Sequence, residues 1–241
     1  MTSVYEVNAK PVVNWTPPPV PDAVQVLTGR YCRLEPLVAE HHAALLYQFF
    51  AGHDHVWDYM PYGPFSSSSK YHRWVRETEA DPDVQFYAVK NCDTGAFEGV
   101  ASYLRIAPQA GSIEVGHINF SPALQRTRAA TEAIYLMMAW AFETGYRRFE
   151  WKCDALNTGS RRAAQRFGLS YEGIFRQATV VKGRNRDTAW FAAIDSEWPA
   201  LKEAFGAWLA PSNFDATGRQ VESLRDLTQL VRVADDPALT G

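Results

Sequence analysis

The stretch EVGHINFSPALQRTRAATEA, residues 114–133, passes from a strand through a short proline-containing turn into a long helix. Ala133, Leu136, Met137, Trp140 and Ala141 recur at helical spacing as far as Glu143, and Gly145 supplies the stop. The first turn of such a helix carries unpaired backbone N–H groups and the positive end of the helix dipole. A phosphate or pyrophosphate binds well there because those donors need an acceptor. Arg126 and Arg128 add positive charge at the same end. The alternative reading is a capped helix with two solvated arginines.

Outward from this junction the chain punctuates itself. Gly29–Leu37 reads as a first strand and residues 39–51 as a helix carrying Ala43, Leu46, Tyr47 and Phe50 on one face. Prolines and a glycine within 53–65 end that helix, and the serine run 66–69 offers an N-cap for a second one through Lys70–Glu79. Gln85–Asn91, Phe97–Ala107 and Ile113–Ser121 form three β-like runs separated by turn signals, which suggests an antiparallel meander. Arg148–Asp154 alternates like a strand, and Asn157 caps a helix through Arg166 that Gly168 ends. Strands around Gly173–Val181 and Thr188–Ile194, joined at residues 182–185, and a helix over Glu197–Leu209 complete the pattern. Antiparallel strands first and a βαβ-like passage later argue for an α+β fold with a mixed sheet. Neither a G-x-G-x-x-G turn nor a Walker loop occurs.

The junction resembles the coenzyme A-binding signature of the GNAT superfamily of N-acetyltransferases, in its ribosomal-protein N-terminal acetyltransferase-like branch. Gln125 and Ala130 match the first and last positions of Q/R-x-x-G-x-G/A, whereas Arg128 stands where a glycine is customary. Arginine carries a Cβ and cannot take a positive φ cheaply. The block NTGSRRAAQRFGLSYEG, residues 157–173, is similar to the N-x-x-S…G-F…E-G passage of the same branch, and the likeness extends over about residues 28–210. It implies a mostly antiparallel mixed sheet, flanked by helices and splayed between the fourth and fifth predicted strands. Acyl-coenzyme A, most often acetyl-coenzyme A, is then the co-substrate and an amine the acceptor. The pantetheine arm would lie along Ile118, Asn119 and Phe120, and Gln125, Arg126, Thr127, Arg128, Ala129 and Ala130 would hold the pyrophosphate.

The implied chemistry is attack of a neutral amine on a thioester. At pH 7 a lysine-like amine is neutral only at a penalty of ~4.6 kcal/mol, against ~1.1 kcal/mol for an α-amine. Glu114 and His117 are the candidate bases, although an odd separation puts them on opposite faces of a regular strand; each is equally an ordinary core or ion-pair residue. The tyrosine that many relatives place on the helix after Asn157 is replaced by Ala164. The resemblance therefore carries the proton-donor role to Ser160, with Asn157 holding coenzyme A or water; helix capping is the competing reading for both. Trp57, Asp58 and Tyr59 fall in the connection that commonly borders the acceptor site. A coenzyme A-binding module without catalysis, serving regulation or scaffolding, is the alternative function.

Composition bounds the rest. The 241 residues, 46% of them apolar and 21% charged, suffice for one large domain, and the net charge of −3 advertises no nucleic-acid binding. Three scattered cysteines form neither a disulfide framework nor a metal knuckle, and His53 and His55 lack further ligands at metal spacing, so no metal is expected. No apolar run is long enough to cross a membrane, and residues 1–10 carry no apolar signal segment. The expectation is a cytoplasmic monomer or homodimer with a polyproline arm over 1–28, an acyltransferase domain over 29–210 and a tail over 211–241. Val221, Leu224, Leu227 and Val231 of the tail would line a short docking helix.

Overall fold

The computed structural model describes residues 12–239, so the first eleven residues of the expected arm and the last two of the tail lie outside the described residues. In chain order the elements are β1 (Leu27–Thr28), β2 (Cys32–Pro36), α1 (Ala39–Phe50), α2 (Ser68–Glu79), β3 (Gln85–Asn91), β4 (Phe97–Ala107), β5 (Ser112–Phe120) and α3 (Arg128–Glu143). There follow β6 (Arg148–Asp154), α4 (Thr158–Arg166), β7 (Ser170–Val181), β8 (Arg184–Ile194), α5 (Trp198–Leu209) and α6 (Leu224–Thr228). The strands form one sheet in the order β1-β2-β3-β4-β5-β6-β8-β7. Every neighbouring pair is antiparallel except β5 and β6, which run parallel because α3 carries the chain back across the sheet.

Period-two alternation divides two cores between the sheet faces. Phe86, Ala88 and Val100 meet α1 and α2, while Tyr87, Val89 and Ala101 meet α3. The end of α3 has a chemical cause: Gly145 at φ +102° lets its own N–H reach Phe142 O while Tyr146 N–H reaches Ala141 O, the doubled bond of a glycine-terminated helix.

The expected first strand over 29–37 breaks into a turn and β2. The buried carboxylate of Glu132 on α3 accepts from the backbone N–H groups of Arg30, Tyr31 and Cys32 at 2.9, 2.6 and 2.7 Å. Gly29 is needed for that approach, since a Cβ there would stand 2.3 Å from the carboxylate. The two-residue β1 precedes this turn and shifts the strand count by one, so the expected splay between strands four and five falls between β5 and β6. The β7–β8 hairpin is longer than its sequence suggests, because Lys182 and Gly183, at φ +48° and +73°, close it in two residues.

Both ends are tied to this frame. Trp15 Nε1 donates to Gly145 O and Tyr146 Oη to Pro19 O, so the arm crosses the α3–β6 turn. In the tail Leu224 and Thr228 are fully buried, and Leu227 and Val231 pack on the core; Val221 is exposed, because α6 begins only after the Ser223 cap. Asp236, also fully buried, accepts two hydrogen bonds from Arg161 of α4 at 2.6 and 2.5 Å.

Glu132→Ala leaves the Tyr31 and Cys32 amides buried without an acceptor. It is expected to lower the unfolding free energy by on the order of 3–5 kcal/mol in urea titration, with an unchanged m-value. Glu143→Ala on the same helix, which removes an exposed pair with Lys202, should cost less than about 1 kcal/mol.

Candidate active site

Pairing between β5 and β6 covers only Ser112↔Arg148 through Val115↔Trp151, although β5 runs on to Phe120 and β6 to Asp154. Between the separated ends lies a cavity of about 570 Å³. The divergence begins at a bulge in β5. Ser102 faces Gly116 and Val100 faces Asn119, so Ala101 opposes both His117 and Ile118, and His117 takes φ +48°. The extra residue resets the alternation. Glu114 and His117, separated by an odd number and expected on opposite faces, both line the cavity.

His117 Nδ1 lies 2.9 Å from Tyr62 Oη, and its ring stacks on Tyr62 with centroids 5.6 Å apart. Burial pushes its pKa down to about 4; the Arg105 and Arg186 cations act in the same direction, and Asp81 opposes them. At neutral pH the ring is therefore an uncharged imidazole. Burial likewise pushes the Tyr62 hydroxyl well above its usual range, so its proton stays in place.

Glu114, 3% exposed, is committed to cations: Arg105 Nη1 stands 2.7 Å from Oε1 and Lys152 Nζ 2.8 Å from Oε2. Lys152 also reaches Glu150 at 2.8 Å and lies 3.8 Å from the Trp190 ring centroid. The arrangement is that of an ion-pair partner at the point where the two strands part.

At the start of α3, Thr127 Oγ1 caps the helix by accepting from Ala130 N–H at 3.1 Å. Leu124, Gln125 and Thr127 find acceptors for their N–H groups within the turn, whereas those of Arg126, Arg128 and Ala129 take none from the described chain. The left-handed residue is Arg126, at φ +62°, and not residue 128, where the signature customarily has its glycine. Arg128 is the first residue of α3. Its guanidinium stacks over Tyr31 and Phe214, with centroids at 4.6 and 5.1 Å, and reaches Asp93 at 3.3 Å. Gln125 Nε2 donates to Phe120 O at 2.8 Å and so pins the turn to the end of β5. Ile118 lines the cavity, Asn119 is buried and Phe120 half-buried.

Across the opening, Asn157 caps α4 through its Oδ1, which accepts from Ser160 N–H at 3.0 Å. Trp151 Nε1 donates to Ser160 Oγ at 2.9 Å, and Asn157 and Ser160 both line the cavity. Ala164 is fully buried against the core. The acceptor-side residues part company. Trp57 is 2% exposed and packs among Phe50, Phe65 and Trp74; Asp58 is exposed outside the cavity wall; Tyr59 alone lines it. Two contacts close the mouth: Tyr59 Oη donates to Leu156 O at 3.2 Å, and Lys182 Nζ at the hairpin tip donates to Trp57 O at 2.8 Å.

Sequence reasoning missed Arg105, Lys152, Arg186 and Trp190 on the cavity wall. A signal was present for Lys152, since Arg148, Glu150, Lys152 and Asp154 put charge at every second position of β6, which marks a polar sheet face. Among the described residues no group of three or more His, Cys, Asp or Glu is placed to hold a metal, and no helix is long and apolar enough to cross a membrane.

Residues 32–170 match the family model described as an acetyltransferase (GNAT) domain. A GCN5-related N-acetyltransferase from Brucella melitensis is 44% identical, with a TM-score of 0.88 over 90% of this chain and 100% of that one. A probable GNAT-family acetyltransferase from Chromobacterium violaceum is 42% identical, with a TM-score of 0.76 over 83% of this chain and 100% of that one. At 19% identity the likeness to the microcin C7 self-immunity acetyltransferase MccE, solved with acetyl-coenzyme A and AMP, is one of fold, with a TM-score of 0.62 over 69% of this chain and 93% of that one. No curated protein matches the chain.

Because the folded protein holds His117 neutral down to about pH 4, while an unfolded histidine titrates near 6.5, the unfolded state binds the extra proton in between. The stability from this site is complete above about pH 6.5 and is lost as the pH falls to about 4. His117→Gln should therefore lessen the loss of stability between those pH values by on the order of 3 kcal/mol in denaturant titrations. Buried His42, whose pKa is also lowered by burial, keeps its own contribution in both proteins.

Proposed function

We propose that this chain, which belongs to the GNAT acetyltransferase family, moves the acetyl group of acetyl-coenzyme A directly onto a primary amine that enters the cavity beside His117. The observation that carries the reading is the unpaired edge of β5 from Gly116 to Phe120, which leads to a helix start with three free N–H groups. An extended amide-containing arm can add to such an edge as a strand does, and a pyrophosphate can accept from the N–H groups of Arg126, Arg128 and Ala129. The side chain of Arg128 is already paired, so its part in this is through the backbone.

The reaction forms a bond from the amine nitrogen to the thioester carbon and breaks the carbon–sulfur bond. Two proton movements accompany it. The Trp151 indole donates to Ser160 Oγ, so the Ser160 hydroxyl keeps its own proton, shared with the neighbouring Cys153 thiol, to give to the departing sulfur. Asn157 keeps its amide N–H groups for holding coenzyme A or water, since its oxygen is bound to the Ser160 amide. On the amine side, Glu114 is committed to Arg105 and Lys152, so His117 is the better base. In the tautomer whose Nδ1–H donates to Tyr62 Oη, Nε2 keeps its lone pair for the amine proton, directly or through water. An imidazole titrating near pH 4 is a weak base. That favours an α-amine, which needs ~1.1 kcal/mol to be neutral at pH 7, over a lysine-like amine, which needs ~4.6 kcal/mol.

Acetyl-coenzyme A is expected to raise the melting temperature by binding only the folded state, and no shift at millimolar concentration would contradict the reading. Ser160→Ala should lower kcat by ~10²–10⁴-fold with acetyl-coenzyme A affinity held within a few-fold. Full turnover in a variant that is merely less stable would return Ser160 to a structural role. A binding module without catalysis would show the thermal shift and release no thiol with any amine.

A further inference from the structure

Cations on the cavity wall are matched with one exception. Arg105 and Lys152 share Glu114, and Lys152 also has Glu150. Arg186, on β8, also lines the cavity. Its Nε is buried and donates to no acceptor, and among the described residues no carboxylate stands within 4.0 Å of its guanidinium. The neighbouring Asp187 is engaged elsewhere, with Gln177 N–H at 2.8 Å and Asn185 Nδ2 at 2.9 Å. Asp154, across the sheet, accepts from Leu156 N–H at 2.8 Å. A buried guanidinium donor without an acceptor is costly, and a planar carboxylate satisfies it with two parallel bonds.

The position of Arg186 gives that carboxylate a purpose. β8 pairs Asp154↔Thr188 and Lys152↔Trp190, so Arg186, two residues before Thr188, shares the sheet face of Glu114 and His117. This is the face opposite α3. The arginine also lies near enough to His117 to act on its proton affinity. One uncompensated cation suits one negative charge; a phosphate, carrying nearly two, would call for a second free cation. Beside Arg186, Phe175 is 57% exposed and lies against Trp190 with centroids 4.4 Å apart, an apolar surface at the mouth of the same cavity.

We propose that Arg186 selects the acceptor, receiving the carboxylate of an α-amino acid whose apolar side chain rests on Phe175 and Trp190 and whose amine takes the acetyl group. The assignment rests on the acetyl-transfer reading for the fate of the amine and on Arg186 alone for the carboxylate. The test separates the two. N-Acetyl-L-phenylalanine and its carboxamide, both unreactive, are titrated by calorimetry into the protein saturated with coenzyme A, alongside thiol release from acetyl-coenzyme A with L-phenylalanine and L-phenylalaninamide. The carboxylate should bind at least about tenfold tighter than the carboxamide. Arg186→Gln should level the two, and Arg186→Lys should retain part of the preference, since it keeps the charge without the planar fork. In turnover the effect should fall mainly on KM for the carboxylate acceptor. Equal binding of the two compounds to the wild-type protein, binding of neither, or a preference that survives in Arg186→Gln overturns the proposal; the wild-type comparison decides even if the variants fold poorly. A carboxylate preference lost in Arg186→Gln, together with no thiol release from any acceptor, sustains the carboxylate site and rejects acetyl transfer.

Discussion

Parallel pairing of β5 with β6 ends at Val115 and Trp151, and two strands then run on in the middle of a sheet with their facing edges unpaired. Backbone donors and acceptors withdrawn from water need partners, so an open seam inside a sheet persists only where something else fills it. The bulge at His117 opens the seam, and the charges of Glu114, Lys152 and Glu150 sit where the strands separate. Apolar side chains at that point would favour closing the gap; instead the buried Glu114 carboxylate is held by one hydrogen bond from Arg105 and an ion pair with Lys152. The cavity, the unpaired β5 edge and the approach to α3 all follow from this one interruption.

The terminal segments hold the two walls of the seam. α4, which carries Ser160, is held by Asp236 through Arg161 and by Asp235 through Gln165. Removing one partner of a buried bidentate pair typically costs about 3–5 kcal/mol. The tail is therefore part of the frame that fixes a candidate proton donor. α3 is fixed at its far end by the arm across Gly145 and in its first turns by Glu132, which draws the β1–β2 turn onto the helix.

Charge is apportioned between the two sides of the opening. On the α3 side the free N–H groups offer partial positive charge while the Arg128 side chain is already satisfied, which suits an anion held by backbone. On the opposite face full cations line the cavity, two of them neutralised and Arg186 not. The His117 imidazole, kept neutral by burial and by the Arg105 and Arg186 cations, sits on the face that carries those full charges.

The order of strands and helices was legible in the sequence because it rests on local signals: period-two runs, the Ser67 and Asn157 caps, and Gly145 and Gly168 as stops. The strand–turn–helix passage at 114–133 and the block at 157–173 carried the family as well. Local rules failed where a distant group intervened. Gly29–Tyr31 does not continue β2 because Glu132, about a hundred residues away, takes its amides. Glu114 and His117 share a face because pairing with β4 leaves one residue over, which alternation along β5 alone cannot register. Trp57 is core and Tyr59 is cavity wall because the aromatic cluster of α1 and α2 claims the first, whereas the second reaches across the opening to Leu156 O. Arg186 reads as an ordinary strand arginine until the sheet brings β8 to the seam and gives its neighbours other partners. Sequence by itself determined which segments become strands and helices, since backbone geometry and burial periodicity act over a few residues; only the tertiary structure decided which charges find partners, since that depends on distances between segments far apart in the chain.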